Sequence, residues 1–304
     1  MRVLITGITG FIGSSLVPLL TAHGHEVHGA SRETLGDINV TTEWGQALSG
    51  CEAVVHLANA AHAEVDETVL HRVNIEGTWR LAEECARIGV RRVVYVSSVK
   101  VCGEESSLRA FDEADAPAPR DAYGAAKLAA ERALIDVAKR TALEVVILRP
   151  PLVYGPRAKA NMRALIHAIV QQWPLPLASV RNRRSLIFIG NLADAIVRCL
   201  EAPQAVGRTY LVADGDPVST PELIRALARE LDMSTHIFPF PPWLLELAGA
   251  LVGRGGTVKR LTRSLEVNDS AIRRELGWRP PFTFEDGIRL TAEWFREERA
   301  RASG

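Results

Sequence analysis

The sequence is poor in the features that define several classes of protein. It has only four cysteines among 304 residues, and no two of them form a C-x-x-C pair. This spacing argues against a zinc site and a disulfide framework, so we expect no metal and a reducing, cytoplasmic compartment. No apolar run approaches the roughly 18 residues that span a bilayer. The first residues lead straight into a strand and a glycine turn, so no signal peptide is expected.

The charges of the chain balance, with 36 Lys and Arg residues against 36 Asp and Glu residues. Non-specific binding of nucleic acid needs an excess of basic charge, so no nucleic-acid partner is expected. Membrane insertion is not expected either. The longest apolar segment, residues 243–252, contains Glu246. We interpret this segment as a packed helix, with a membrane-surface helix as the alternative.

Short β-rich runs alternate with helical stretches along the first half of the chain. The runs predict buried strands, and the stretches predict helices that cover a sheet. The predicted strands are residues 3–5, 26–30, 53–57, 92–97 and 144–148, and the predicted helices run from the first glycine turn to residue 23, over 74–88 and over 122–141. This alternation is typical of the α/β class with a doubly wound parallel sheet.

A glycine-rich turn, TGITGFIG at residues 6–13, lies between the first strand and the first helix. Gly7 permits the tight turn, Gly10 lets the backbone approach a pyrophosphate, and Gly13 lets the helix pack closely on the strand. The free N–H groups at the helix start then hold the phosphates. The dinucleotide site that we predict here includes Gly7, Thr9, Gly10, Phe11 and Ile12.

The end of the second strand bears on which dinucleotide binds. An NAD site usually has an acidic residue there, which accepts a hydrogen bond from the ribose 2′-hydroxyl. This chain has Ala30, Ser31 and Arg32 instead. A guanidinium and a hydroxyl can bind a 2′-phosphate, so the sequence favours NADP(H), with NAD(H) as the alternative. The alternative interpretation is that Arg32 binds no ligand and is a solvated surface charge.

Tyr123 and Lys127 are four residues apart on a predicted alanine-rich helix, which places both on one face. A phenol has a pKa near ~10, and a neighbouring cation is expected to lower it towards neutral pH. Ser98 ends a predicted strand upstream, on the side of the sheet where ligands bind. The three residues therefore predict acid–base chemistry on a substrate oxygen.

These motifs together resemble the extended short-chain dehydrogenases/reductases, the NAD-dependent epimerase/dehydratase family, in its nucleotide-sugar branch. The resemblance covers nearly all 304 residues and includes GDI at 36–38, HLA at 56–58, VNIEGT at 73–78 and RPPLVYGP at 149–156. It implies that Ser98, Tyr123 and Lys127 form a catalytic triad and that Lys127 also bonds the nicotinamide ribose. It implies further cofactor contacts from Asp37, Ile38, Leu57, Ala58, Asn59, Asn74, Pro150 and Val153.

The same resemblance implies a Rossmann domain followed by a smaller one. Beyond Pro150 the prolines cluster, and the chain becomes more irregular. Residues 186–189 and the helix after them are predicted to return to the main sheet. We therefore assign residues 1–153 and 186–203 to the dinucleotide-binding domain. Residues 154–185 and 204–304 are assigned to a mixed α/β domain that binds a nucleotide sugar.

A closer resemblance concerns KAN at 159–161, WPLPL at 173–177 and RNRRSL at 181–186. These motifs are similar to those of bacterial reductases of UDP-4-keto-6-deoxy-N-acetylhexosamines, which act in surface-polysaccharide synthesis, and of UDP-glucose 4-epimerase-like proteins. The resemblance implies that Ser98 contacts the sugar and that Asn161, Arg184 and Arg260 contact the UDP. Family dehydratases carry Asp-Glu directly after the catalytic hydroxyl residue, but this chain has Val99 and Lys100, which argues against dehydration.

Three functions are left open by the sequence. The first is NADPH-dependent reduction at C4 of a UDP-linked 4-keto-6-deoxy-hexosamine. The second is 4-epimerisation of a UDP-hexose with tightly bound NAD. The third and most remote is a non-enzymatic NADP-binding regulator, against which the presence of both Tyr123 and Lys127 argues. A homodimer through the helix of Tyr123 and the helix at 74–88 is expected from the resemblance.

Overall fold

The main sheet is parallel and carries helices on both faces. The structure is a computed structural model that describes residues 1–60, 66–107, 109–158 and 160–303; Lys159, which belongs to one motif above, lies outside the described residues. The strands are β1 (Arg2–Thr6), β2 (Glu26–Ala30), β3 (Ala53–His56), β4 (Arg92–Val96), β5 (Glu144–Arg149), β6 (Leu152–Tyr154), β7 (Leu186–Phe188) and β8 (Thr209–Leu211). The order in the six-stranded sheet is β2-β1-β3-β4-β5-β8.

The helices follow the strands in the order expected of a doubly wound fold. They are α1 (Phe11–Ala22), α2 (Arg32–Leu35), α3 (Gly45–Leu48), α4 (Glu67–Leu70), α5 (Gly77–Ile88), α6 (Ala122–Arg140), α7 (Ala160–Val170), α8 (Ile189–Glu201), α9 (Thr220–Glu230), α10 (Pro242–Leu251), α11 (Gly255–Thr262), α12 (Ser270–Leu276) and α13 (Phe284–Ser303). A π-helical segment (His71–Glu76) precedes α5, and 3-10 turns occupy Val99–Val101 and Pro203–Ala205.

Successive side chains of the central strands alternate between the two faces of the sheet. Val3 and Ile5 of β1 belong to the apolar cluster that also contains the buried side of α8. Leu4 lies between them and belongs to the cluster on the opposite face, with residues of α5 and α6. Because both faces are covered, the strands are continuous hydrophobic runs, as in other parallel sheets. The predicted α/β class and parallel sheet are confirmed.

The predicted strands of the first half correspond to β1 to β5, and no bound differs by more than one residue. The helix predicted over 74–88 begins later, at Gly77, because the π-helical segment takes up its first turn. It ends as expected before Gly89, whose φ of 92° is in the left-handed region that favours glycine.

The predicted return of residues 186–189 to the main sheet is wrong. β7 pairs with β6 in a separate two-stranded sheet, with Val153 opposite Ile187. The strand that completes the main sheet is β8, which pairs with β5. The helix after β7, α8, nevertheless packs on the main sheet with its buried side. The division of the chain into two domains stays a prediction.

The segment interpreted as a packed helix, α10, is packed on one side only. Gly249 is buried, whereas Trp243 and Leu251 are exposed. Within the described ranges no helix is long and apolar enough to cross a membrane. In the same part of the chain, no group of three His, Cys, Asp or Glu side chains is placed to hold a metal ion.

His56 ties the ends of β1 and β3 to α5. Its ring is fully buried and is hydrogen-bonded to the hydroxyls of Thr6 at 2.7 Å and Thr78 at 2.9 Å. Burial lowers the pKa of His56 to about 3, with a smaller contribution from the charge of Lys127. The imidazole is therefore neutral in the folded protein at neutral pH, and it acts as a structural link at the edge where the site forms.

We predict that His56 makes the protein sensitive to acid. Below the unfolded-state pKa of 6.5, the unfolded chain binds a proton that the folded His56 does not. Stability therefore falls as the pH falls, by about 2 kcal/mol between pH ~6.5 and ~5. The free energy of unfolding from urea titrations should lose this slope in His56→Gln and keep it in His71→Gln, a change at an exposed histidine. An unchanged slope in His56→Gln would contradict the prediction.

Candidate active site

A crevice opens at the carboxyl ends of β1 and β3. The chain leaves β1 towards β2 on one side and later places β3 on the other, which makes this the switch point where ligands bind in open α/β sheets. The crevice contains a cavity of about 480 Å³. Its lining includes thirteen of the predicted cofactor residues: Gly7, Thr9, Gly10, Phe11, Ile12, Ser31, Arg32, Asp37, Ile38, Leu57, Ala58, Asn59 and Tyr123.

The glycine turn has the backbone geometry that the sequence predicts. Gly7 has a φ of 73°, and a Cβ on it would lie 3.0 Å from the backbone nitrogen of Ala58. A Cβ on Gly13 would lie 2.6 Å from the carbonyl oxygens of Gly7 and Ile8. Both positions therefore require glycine, one for the conformation and approach to β3, the other for the contact between α1 and the turn.

The start of α1 is equipped to receive an anion. Gly10 is its N-cap, with no side-chain cap and no acidic residue in the first turn. The first N–H groups of a helix have no intrahelical acceptor, and Phe11 and Ile12 line the cavity. These N–H groups and the positive end of the helix dipole fit the pyrophosphate of a dinucleotide.

Two buried polar atoms in the cavity lining lack a partner among the described residues. They are the indole Nε1 of Trp44 and the side-chain Oδ1 of Asn59. Buried polar atoms are nearly always hydrogen-bonded in folded proteins. Both residues line the cavity, so its wall holds an unpaired donor and an unpaired acceptor that a ligand with polar groups of its own would suit. The residues present therefore fit a nicotinamide dinucleotide.

The end of β2 differs from the expectation in one respect. The sequence has no acidic residue directly after β2, but the structure brings Asp37 against Arg32, with 2.7 Å between Oδ1 and Nε. Arg32 is therefore already paired with a carboxylate, although its side chain is 79% exposed. The sequence favoured NADP(H) because no acidic residue directly follows β2. In the folded chain, however, the carboxylate of Asp37 lies beside Arg32.

Tyr123 and Lys127 lie on one face of α6, as their spacing predicts. The Lys127 Nζ is 5.9 Å from the centre of the Tyr123 ring and 4.7 Å from that of Tyr95. It donates a hydrogen bond of 3.0 Å to the carbonyl oxygen of Val96, at the end of β4. Tyr123 lines the cavity, while Lys127 is buried behind it. The structure thus brings the phenol, the amine and the glycine turn to one edge.

The expected lowering of the phenol pKa is wrong for this structure. Burial, with a smaller contribution from the charge of Asp121, raises the pKa of Tyr123 to about 12. Burial also lowers the pKa of Lys127 to about 7, although Glu131 opposes this shift. Both shifts have the same cause, since burial disfavours each charged form. The phenol is therefore protonated at neutral pH, and the amine is close to its midpoint.

Ser98 is the N-cap of the 3-10 turn after β4, and its Oγ accepts a 3.2 Å hydrogen bond from the backbone N–H of Lys100. The Nζ of Lys100 is ion-paired with Asp121 and lies 6.0 Å from the centre of the Tyr123 ring. Sequence reasoning used Lys100 only to argue against dehydration and missed this position. Its place two residues after a predicted catalytic serine is the signal that could have revealed it.

A buried polar cluster supports the site from below. Glu131, one turn after Lys127, accepts two hydrogen bonds from Arg149 and one from Ser97. These residues belong to α6, β5 and the end of β4, so the cluster joins the three elements. Because the carboxylate is paired, its burial costs less than that of an isolated charge. None of the sequence motifs above includes Glu131.

Four of the predicted cofactor residues lie outside the described cavity lining, and one of them is Lys127, which is buried. Asn74 is buried and bonds both the N–H and the carbonyl of Ala60, which makes it a backbone support. Pro150 accepts a 2.9 Å hydrogen bond from the N–H of Val99, and Val153 lies in β6. Conversely, Trp44, Leu35 and Val73 line the cavity and were missed. Trp44 and Leu35 lie outside the motifs above, and Val73 begins the VNIEGT motif, in which only Asn74 was given a cofactor contact.

The predicted UDP contacts are partly clustered. Arg184 is half-buried and donates a 3.0 Å hydrogen bond to the carbonyl oxygen of Arg263. Burial and the nearby charge of Arg260 lower the pKa of Arg184. Arg260 is exposed, and its side chain donates to Thr257. Two neighbouring guanidinium groups form a suitable site for an anion. Asn161 is exposed in the first turn of α7.

Comparison with known proteins adds the following similarities. Residues 3–213 match the family described as "NAD dependent epimerase/dehydratase family". The chain is 39% identical to a UDP-glucose 4-epimerase of Vibrio cholerae, over 98% of this chain and 97% of the relative. The structure of a Thermus thermophilus UDP-glucose 4-epimerase with NAD is similar at 27% identity and a TM-score of 0.79, covering 97% and 99% of the chains. MoeE5 in complex with UDP-glucuronic acid and NAD is similar at 25% identity and a TM-score of 0.81, covering 98% and 100%.

We predict that Gly13→Ala impairs both folding and nucleotide binding. The added methyl group would overlap two carbonyl oxygens and push α1 away from the turn, which costs about 1–3 kcal/mol of stability. The dissociation constant for NAD, measured by tryptophan fluorescence, should rise at least tenfold. Gly45→Ala is the matched control, because a Cβ there meets nothing within 4 Å. Equal NAD affinity in both variants would contradict the prediction.

Proposed function

Since this chain belongs to the NAD dependent epimerase/dehydratase family, we propose that it is a UDP-hexose 4-epimerase that retains NAD. The observation that carries the proposal is the common location of Tyr123 and the glycine turn in one crevice, with Lys127 directly behind the phenol. The 39% identity to the Vibrio cholerae UDP-glucose 4-epimerase over nearly the whole chain supports the reaction. The NAD bound to the Thermus thermophilus and MoeE5 structures supports the cofactor.

The proposed roles follow from the surroundings of each side chain. The residues that line the crevice would hold NAD, which would supply the chemistry of taking a hydride from the sugar carbon and returning it. Tyr123 moves the proton at the C4 hydroxyl, since it is the tyrosine that lines the cavity. Ser98 bonds the same oxygen, and Lys127 stabilises the charge of the phenol when it loses its proton. The order of preference between epimerase and reductase is thus the reverse of the one that the sequence alone favoured.

The substrate is proposed to be a UDP-linked hexose. Arg184 and Arg260 carry neighbouring positive charges that suit its diphosphate. Asn161 is retained as a weaker candidate, because the structure describes it as exposed. The UDP-glucuronic acid in the MoeE5 complex supports a ligand of this class.

NADPH-dependent reduction of a UDP-4-keto-6-deoxy-hexosamine is the second candidate. Two observations favour it. Ser31 and Arg32 follow β2 and line the cavity, where they can meet a 2′-phosphate if Arg32 leaves Asp37. The phenol of Tyr123, with its pKa raised to about 12, is protonated at neutral pH. A protonated phenol is the form that donates a proton to an alkoxide.

We also propose the homodimer expected from the resemblance. Trp79 of α5 and Ile135 of α6 are large apolar side chains that are 41% and 37% exposed. Two copies that bring these helices together would cover both side chains. Sedimentation equilibrium at micromolar concentration should then give about twice the 33.2 kDa chain mass, and Trp79→Glu/Ile135→Glu should sediment as a monomer. A monomeric wild type would contradict this proposal.

The reaction is tested by incubating the purified protein with UDP-glucose or UDP-N-acetylglucosamine and no added cofactor. We expect interconversion with the galacto form, and NAD in the supernatant after denaturation. Tyr123→Phe should lower the rate at least ~100-fold, because it removes the group that moves the proton. Tyr210→Phe is the control, since that hydroxyl bonds Glu275 and belongs to the core of the main sheet.

One result would contradict the epimerase, and another would contradict the role of Tyr123. The first is consumption of NADPH with a UDP-4-keto-6-deoxy sugar, together with bound NADP and no interconversion of UDP-hexoses; it would establish the reductase. The second is unchanged turnover in Tyr123→Phe, which would remove Tyr123 from the mechanism under either function.

A further inference from the structure

The solvent-facing side of α10 is apolar. Trp243, Leu247 and Leu251 are spaced four residues apart and are 67%, 53% and 81% exposed. Residues at this spacing lie on one face of a helix. A surface helix of a globular protein normally turns charged and polar residues outward and its apolar residues inward. In α10 the apolar stripe formed by Trp243, Leu247 and Leu251 faces outward instead.

The opposite side of α10 is held against α11 and cannot exchange places with the apolar stripe. A Cβ on Gly249 would lie 2.5 Å from Cγ2 of Val258, so the two helices approach closely at this glycine. Glu246 accepts hydrogen bonds from Arg263 and Thr262. A rotation of α10 that buried Trp243 or Leu251 would break these contacts. The exposure of the stripe is therefore built into the pairing of α10 with α11.

The charges around the stripe are unbalanced. Residues 238–263 contain four basic residues and one acidic residue, in a chain whose total charge is zero. The acid, Glu246, is paired with Arg263. Arg254 and Lys259 are exposed, and neither forms a salt bridge among the residues that the structure describes, although the charge of Lys259 acts on Glu246. The pair of helices thus combines an exposed apolar stripe with an excess of positive charge.

We propose that α10 and α11 dock this protein on an anionic lipid bilayer. Trp243, Leu247 and Leu251 enter the boundary between headgroups and acyl chains, while Arg254 and Lys259 contact the anionic headgroups. Apolar area and electrostatic attraction together are the two signals that hold an interfacial helix. A second copy of the chain is a poorer occupant, because a two-fold contact would place like charges opposite each other. The helix lies on the bilayer and does not cross it.

The proposal is tested by cosedimentation of the full chain with vesicles. One set contains phosphatidylglycerol and phosphatidylcholine in equal parts, and the other contains phosphatidylcholine alone. We expect the wild type to bind the anionic vesicles, and Leu247→Glu/Leu251→Glu to bind at least tenfold more weakly. Arg254→Ser/Lys259→Ser should lose about fivefold for each removed cation. Val206→Glu is the control, because Val206 is also an exposed apolar residue (39%) but lies before β8.

Several outcomes would overturn the proposal. They are no binding of the wild type to anionic vesicles, equal binding to both vesicle types, or equal binding of wild type and Leu247→Glu/Leu251→Glu. A concentration-dependent doubling of mass that this variant abolishes, without vesicle binding, would assign the stripe to a second copy. If the variant does not keep the wild-type melting temperature, Leu247→Ser/Leu251→Ser replaces it. Wild-type binding should also weaken as NaCl rises, and binding that is insensitive to salt would contradict the proposed role of the cations.

Discussion

The hydrogen bond from the Lys127 amine to the carbonyl of Val96 fixes α6 to the end of β4. It determines where Tyr123 lies, because the phenol is one turn earlier on the same helix. The contact also needs a close approach at Gly124, where a Cβ would lie 2.7 Å from the carbonyl oxygen of Lys100. The Glu131 cluster holds the next turn of α6 to β5. The position of the phenol in the crevice is thus a consequence of how α6 is bound along its length.

Burial is also what sets the protonation of the site. The same exclusion of water raises the pKa of Tyr123 and lowers that of Lys127. The two groups therefore meet at neutral pH with a protonated phenol beside an amine that is close to its midpoint. A site in this state carries the proton that a sugar alkoxide would accept, although the raised pKa makes the phenol a weaker acid. To accept a proton, Tyr123 must first be a phenolate, which an added positive charge or the protonated form of Lys127 would stabilise. Whether the site donates or accepts a proton is therefore linked to what is bound in the crevice.

The parts of this account that were predicted from sequence are those set by local pattern. Short β-rich runs identified β1 to β5, and three glycines identified the turn, because each depends on residues close together in the chain. The strand that pairs with β7 is β6, which lies some thirty residues earlier in the chain. Strands of only three residues contain too little pattern to predict which strand they pair with. The pairing of Arg32 with Asp37 and the burial that shifts Tyr123 are likewise properties of the folded chain. For α10, periodicity indicated a helix, but only the position of α11 determines which face is exposed.

The titration of Lys127 shows whether a buried amine behind Tyr123 organises this edge of the sheet. The chain has five lysines, so selective ¹⁵N labelling of their side chains gives a simple NMR spectrum. Lys127→Met assigns the signal, and a titration from about pH 5 to about pH 11 follows it. The account predicts that Lys127 titrates near pH 7. Titration of Lys127 with the ordinary pKa of about 10.4 would contradict it.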